Sequence, residues 1–265
     1  MNTMNNYDYI EGIEFNGLIP AIMEQEGVKT IGNELEVIDF VGTAFGNNKD
    51  NEGGDDDTHE YVDLGLPSGT LWATENIKNA NGEELYFAWG ETQGYASGQV
   101  GTDKYFAYEG EHADYKFGEY VNQEPNYGMT KYNLTDEKTT LDAEDDAATA
   151  NWGSDWRMPT KDEFDELLEN TTSSWTEVNG ISGLLLTSTV EGHEEESLFF
   201  PAVGYAEDGR VPDVGEYGYC WSASLYDENI STDAYGFFFE DGVCEVGNDS
   251  RYCGNPVRPV FSQNL

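Results

Sequence analysis

Residues 218–261, GYCWSASLYDENISTDAYGFFFEDGVCEVGNDSRYCGNPVRPVF, decide how the chain is read. Apolar runs at 219–224, 234–240 and 256–261 are separated by stretches rich in Asn, Asp and Gly, the punctuation of short strands joined by turns. Within 235–240, alternation puts Tyr235, Phe237 and Phe239 on one side and Gly236, Phe238 and Glu240 on the other. The competing expectation is a strand buried on both faces. All 3 cysteines, Cys220, Cys244 and Cys253, fall in this segment. An odd count is not a disulfide framework, and their spacing, with no His nearby, is not that of a compact zinc site.

Upstream, the strongest helix signal follows Pro159. Thr160 and Glu163 form a capping-box pair, and Phe164, Leu167 and Leu168 fall on one face while Asp162, Asp165, Glu166 and Glu169 face water. A weaker helix is expected over 141–150. Residues 61–74, YVDLGLPSGTLWAT, read as strand, turn and strand; 84–90, 183–190 and 198–205 are further short strands, and 91–133 reads as irregular surface loops. Few helices and many short strands predict an α+β domain built on antiparallel sheet.

The acidic residues number 53 against 12 basic ones, for a formal charge of −41 and a pI near 4.1. No basic stripe able to neutralise phosphates can be assembled, so nucleic acid is not an expected partner, nor is an anionic membrane surface. Mean hydropathy is −0.62, yet 14% aromatic residues is far above what disordered chains carry, so the charge belongs on the outside of a folded body. No apolar run approaches the ~18 residues of a membrane helix, and membrane insertion is not expected. The first basic residue is Lys29, so the sequence as given is expected to lack a leader's basic start. Residues 1–45 read as a small N-terminal attachment or oligomerisation region, 46–60 (GNNKDNEGGDDDTHE) as an acidic linker, and 61–265 as the main domain. The acidic run satisfies no calcium-loop spacing.

The segments 61–74, YFAWGE at 86–91, DDAA at 145–148, NWG at 151–153, WRMPT at 156–160, FPAVGY at 200–205, YCWSAS at 219–224 and VRPV at 257–260 occur in order, and together they resemble the Fibrobacter succinogenes major paralogous domain family of gut Bacteroidales and their phages. That family is similar to C-type lectin-like domains and to the formylglycine-generating enzyme fold. The resemblance implies a C-type lectin-like domain with short antiparallel strands, one or two helices and long loops. Its C-terminal part resembles the hypervariable cassette of proteins diversified by retroelements, in which template adenines are mutated. The matching skeleton implies that Tyr235, Phe237 and Phe239 face the core. Cys220, Gly236, Phe238, Asp241, Gly242, Cys244, Gly247, Asn248, Asp249, Ser250, Tyr252, Cys253 and Asn255 stand between skeleton positions, and each is reachable from an Asn codon with randomised adenines. Glu240 and Glu245 are not. With Tyr226, Asp227 and Asn229 these residues are the candidate ligand contacts, within a variable segment spanning 219–256, and 241–255 is expected to form loops beside the strand.

By this resemblance the chain is a non-enzymatic receptor-binding or adhesion protein, expected on a phage virion surface as a tail or head fibre component. Its partners would be a host-cell surface protein or glycan and, through the N-terminal region, other virion proteins; a homotrimer suits such a binder. A Bacteroidales cell-surface adhesin is the alternative. A formylglycine-generating-type copper oxidase using Cys244 and Cys253 is the alternative of a different class. No cofactor is expected beyond a structural calcium. Trp72, Trp89, Trp152, Trp156 and Trp221 are expected in the core or stapling loops, and Arg157 and Arg258 in buried pairs with carboxylates such as Asp145 or Asp146. The Glu124, Pro125, Asn126 triplet matches a sugar-selecting motif of calcium-dependent lectins but precedes the capped helix, so it is set aside. The diversification reading predicts a near-copy of the DNA for residues 219–260, differing only at adenines and lying beside a reverse-transcriptase gene; a complete genome with no such copy sinks it.

Overall fold

A computed structural model describes residues 59–100, 106, 115–118, 128–226 and 232–261, and the backbone alone of 29–31 and 34–36. Most of the expected attachment region and linker, the 124–126 triplet, and the candidate contacts Asp227 and Asn229 lie outside these residues. The chain divides into two units, Met1–Thr43 and Ala44–Leu265. In the first, β1 (Lys29–Ile31) pairs antiparallel with β2 (Glu34–Glu36).

The second unit runs β3 (Tyr61–Val62), β4 (Leu71–Ala73), β5 (Leu85–Tyr86), β6 (Tyr95–Ala96), α1 (Ser97–Val100), a 3-10 turn (Ala143–Asp145), α2 (Ala147–Trp152), β7 (Trp156–Arg157), α3 (Lys161–Glu169), β8 (Thr171–Val178), β9 (Ile181–Ser188), β10 (Ser197–Pro201), β11 (Gly218–Leu225), β12 (Asp233–Glu240), β13 (Val243–Ser250) and β14 (Val260–Phe261). It is an α+β arrangement, mostly β, in which every strand pairing is antiparallel. The sheets are β10-β9-β8, β11-β12-β13, β3-β4-β14-β7 and β5-β6. In the last-but-one of these, β14 lies between β4 and β7, so the end of the unit closes against its beginning, with Val260 opposite both Trp72 and Arg157.

Two hairpins were not legible as strand pairs. Thr171–Val178 is rich in Ser and Thr and carries no apolar alternation, yet it pairs with β9 along its whole length. The cause is the turn: Asn179 and Gly180 have φ of 53° and 81°, the left-handed pair that a two-residue connection between twisted strands requires. Similarly, Val243–Ser250 is a strand and not the expected loop. It is held in register from Glu240 opposite Val243 to Asp233 opposite Ser250, so its partner strand overrides the low strand preference of Gly247, Asn248 and Asp249. The weaker helix over 141–150 is split into the 3-10 turn and α2, which Asp146 caps by accepting from Thr149 N at 2.9 Å.

The helix at 161–169 forms as expected, and both capping-box bonds are present. Glu163 does more than cap. Its carboxylate also takes a two-point bond from Arg157, at 2.7 and 2.5 Å, and the Thr70 hydroxyl at 2.9 Å, which ties α3 to β7 and to the start of the unit. Arg157 therefore pairs with Glu163 and not with Asp145 or Asp146, because β7 leads directly into the cap. Phe164 and Leu167 are buried in a core shared with Val62, Trp72, Leu184, Leu186, Phe200, Phe237 and Phe239.

Burial pushes the Glu163 carboxyl up, but the Arg157 guanidinium and the cap donors outweigh it and leave the pKa below the usual carboxylate value. A lowered folded pKa gives stability that is present above the unfolded value of ~4.3 and disappears as pH falls through the folded one. Glu163→Gln is expected to cost about 2–4 kcal/mol at neutral pH in urea unfolding, with the difference from the parent protein shrinking as pH falls below the unfolded value and through the lower folded one.

Candidate binding face

The β11-β12-β13 sheet has one side sealed and the other side half open. On the sealed side Cys220, Phe237 and Phe239 are buried, and Cys244 and Val246 pack against them. On the opposite side, the pairings place Tyr219 beside Phe238 and Phe238 beside Glu245, with Trp221, Gly236 and Gly247 in the next row and Ala234 beside Asp249. Trp221 and Ala234 are buried in a second core with Trp89, Tyr132, Ala148, Met158 and Val257. Tyr219, Phe238, Gly247 and Asp249 are only half buried. Both expectations for 235–240 therefore hold over part of its length: the strand is buried on two faces near Ala234 and on one near Phe238.

The open end is aromatic. Tyr205 lies 4.7 Å from Tyr219 between ring centroids, and Tyr219 meets Phe238 edge to face at 5.3 Å. Phe238 lies over two glycines: a Cβ at Gly247 would be 3.2 Å from its ring and one at Gly236 3.3 Å. Any side chain there pushes the ring outward, so these glycines set how low Phe238 lies on the sheet.

Residues 251–255 run back along the sheet, held by paired backbone bonds between Ala206 and Gly254 at 2.7 and 2.8 Å. They bring Tyr252 and Cys253 to Glu207, with the Tyr252 hydroxyl 3.5 Å from Glu207 Oε1. Asn255 Nδ2 donates to Asp249 Oδ2 at 3.0 Å. Burial raises the Asp249 carboxyl above the usual range in spite of that bond. Burial, with the negative charges of Glu207 and Asp249 added, also raises the hydroxyl pKa of Tyr205 and Tyr252, and Asp213 adds to the shift at Tyr205.

The candidate contacts do not share one surface. Cys220, Cys253 and Asn255 are buried at 2%, 2% and 0% exposure, and Gly236 lies buried beneath Phe238. As built they cannot meet a ligand, because Cys220 sits on the core side of β11, while Cys253 and Asn255 belong to the 251–255 strap and are turned inward from it, Cys253 into the second core and Asn255 toward Asp249. Cys244 is half buried on the core side. Asn248 and Ser250 point to that same side at the sheet margin, where they reach Asp233 at 3.0 and 3.4 Å. Asp241 and Gly242 are exposed in the β12-β13 turn, and Tyr226 stands edge to face with Tyr235 at 5.0 Å. Of the expected contacts, Phe238, Gly247, Asp249 and Tyr252 come together on the open side.

Tyr205, Tyr219 and Glu207 belong to the same place and were not among the candidates. Tyr219 was detectable, since alternation from it down β11 would have put it opposite Cys220; its match to a fixed skeleton position hid it. Nothing local in 200–207 reveals Tyr205 or Glu207.

The support beneath the face is cationic. Arg251 is fully buried, with its guanidinium carbon 4.7 Å from the Trp89 ring centroid, 5.5 Å from Tyr115 and 5.8 Å from Phe117. It donates to the Tyr115 hydroxyl and to the carbonyls of Tyr132 and Lys131. Arg258, also fully buried, meets no carboxylate directly among the described residues. It donates to Asn76 Oδ1 at 2.8 Å and to the Ala73 and Phe199 carbonyls, and Asn76 in turn donates to Glu84 Oε2 at 3.1 Å. Burial lowers Arg258 to about 10, which leaves it charged at neutral pH. The expected partner Asp145 serves elsewhere, accepting from Lys116, Lys131 and the Tyr132 hydroxyl.

Asp142, Glu144 and Asp145 converge closely enough to hold a cation. The Lys131 ammonium already stands among them, at 2.9, 3.1 and 2.5 Å, and supplies the positive charge such a cluster calls for. Cys244 and Cys253 are not brought together, since one packs into the core on the sealed side and the other into the core on the opposite side.

No family model, curated protein or solved structure matches the chain.

Burial raises the thiol pKa of Cys220 to about 12 and raises that of Cys253 as well. A maleimide titration of the native protein is expected to modify Cys244 first, with Cys220 and Cys253 reacting only after urea unfolding. Rapid native labelling of Cys253 would mean that the 251–255 strap opens.

Proposed function

We propose that the chain is a non-enzymatic adhesion protein, a C-type lectin-like scaffold that presents the open side of the β11-β12-β13 sheet to a ligand on a host-cell surface. The carrying observation is the half-exposed aromatic row of Tyr205, Tyr219 and Phe238 on a sheet whose reverse side is a packed core. Rings held on a rigid platform give contact area at little entropic cost, and the small residues beside them can vary without unfolding what lies beneath. The ordered sequence blocks support the lectin-like fold and a hypervariable role for 219–256. The acidic surface keeps such a scaffold soluble whatever the face displays.

Within this reading the protein works on a virion surface, residues 1–45 attach it to other virion proteins, and a homotrimer multiplies weak contacts. A Bacteroidales surface adhesin is the second reading in the same class, and DNA upstream of the start codon separates the two. The separation of Cys244 from Cys253 counts against copper oxidase chemistry.

Labelled full-length protein is expected to adhere to some gut Bacteroidales strains and not to others. Phe238→Ala is expected to reduce that adhesion about tenfold with an unchanged unfolding midpoint. Uniform adhesion, no adhesion to any strain, or a variant that binds as well as the parent defeats the proposal.

A further inference from the structure

The open face has an electrostatic character that narrows its ligand. Tyr205, Tyr219 and Phe238 are half exposed, and Glu207, Asp213 and Asp249 stand around them. Among the described residues no Lys or Arg forms an ion pair with any of these three carboxylates. Likewise, no described cation lies over the rings of Tyr205, Tyr219 or Phe238. Arg210, in the turn after Glu207, is exposed and makes no ion pair with it.

Among the described residues, other rings do hold a cation. Arg251 occupies the cluster of Trp89, Tyr115 and Phe117, and Lys161 lies 5.4 Å from the Tyr235 centroid. A ring face attracts a cation through its quadrupole, and a carboxylate beside it adds a direct charge term. The surface cluster has both elements and, among the described residues, no cation over its rings.

We propose that this face takes a basic side chain, an arginine or lysine presented by a protein on the target cell, inserted against Tyr219 and Phe238 and paired with Glu207 or Asp249. The proposal rests on the adhesion reading and specifies its ligand: a basic protein segment rather than a neutral glycan. Charge complementarity carries the choice, because a neutral sugar would stack on the rings but leave the carboxylates without a counter-charge, and an anionic glycan would be repelled.

The test is titration of full-length protein with an oligoarginine peptide at low and at physiological salt, with a neutral oligosaccharide and an oligoglutamate peptide in parallel. Binding of oligoarginine alone is expected. Phe238→Ala and Tyr219→Ala should each weaken it about five- to tenfold, and Glu207→Gln about threefold, with the last effect fading as salt rises. A chain this acidic also attracts polycations without a site, so Glu194→Gln with Glu195→Gln, exposed and away from the face, serves as the control and should change binding no more than slightly. Glu207→Gln retains the side-chain shape, so its effect stays interpretable if a ring variant proves unstable. Equal losses in the control and face variants, or binding of the oligosaccharide instead, overturn the proposal. Strain-dependent adhesion that oligoarginine does not compete away would leave the adhesion reading standing and defeat this one alone.

Discussion

Trp89 and Trp221 clamp the domain by exchanging bonds: Trp89 Nε1 donates to the Ser222 carbonyl at 2.8 Å, and Trp221 Nε1 to the Phe87 carbonyl at 2.7 Å. Both indoles are fully buried, where an unmade N–H bond would cost ~1–3 kcal/mol, so each ring fixes the other's segment. Around them Phe87 and Asn255 exchange backbone bonds at 3.0 Å, and Trp89 N donates to the Arg251 carbonyl at 2.8 Å. Three stretches far apart in sequence are thereby joined, and the 251–255 strap that carries Tyr252 owes its position to this junction.

The clamp also explains why β12 has two kinds of environment along its length. Near Trp221 the second core covers the sheet and takes in Ala234. Further along the strand, the cover ends and Phe238 emerges over its glycines. The face is the margin of a core, rigid because it continues into packed structure on one side and is backed by packed structure beneath.

Two buried arginines set the electrostatics of this interior. Arg251 is stabilised by ring faces and carbonyl oxygens, and Arg258 by an amide that passes its charge on to Glu84. Among the described residues, Arg258 is held by these partial charges and by no directly paired carboxylate. The expectation of a carboxylate partner for scarce cations in an acidic chain holds for Arg157, which pairs with Glu163, but what lies near Arg258 depends on the closure of β14 between β4 and β7, a non-local event with no sequence periodicity.

Local signals determined much of the architecture. The capping pair Thr160 and Glu163 placed α3, because a cap bond involves residues three apart and needs no tertiary partner. Alternation put Phe237 and Phe239 on one side of their strand, and composition set the net charge of −41, since charge is a property of the sum. Other features were decided only by the tertiary structure. Whether Cys253 is displayed or covered, and whether Tyr219 belongs to the scaffold or to the face, depends on where the second core stops. Strand periodicity assigns a residue to one of two sides; it carries no information about what packs against that side, and that packing is set by segments more than a hundred residues away along the chain, such as 87–89 against 221–222.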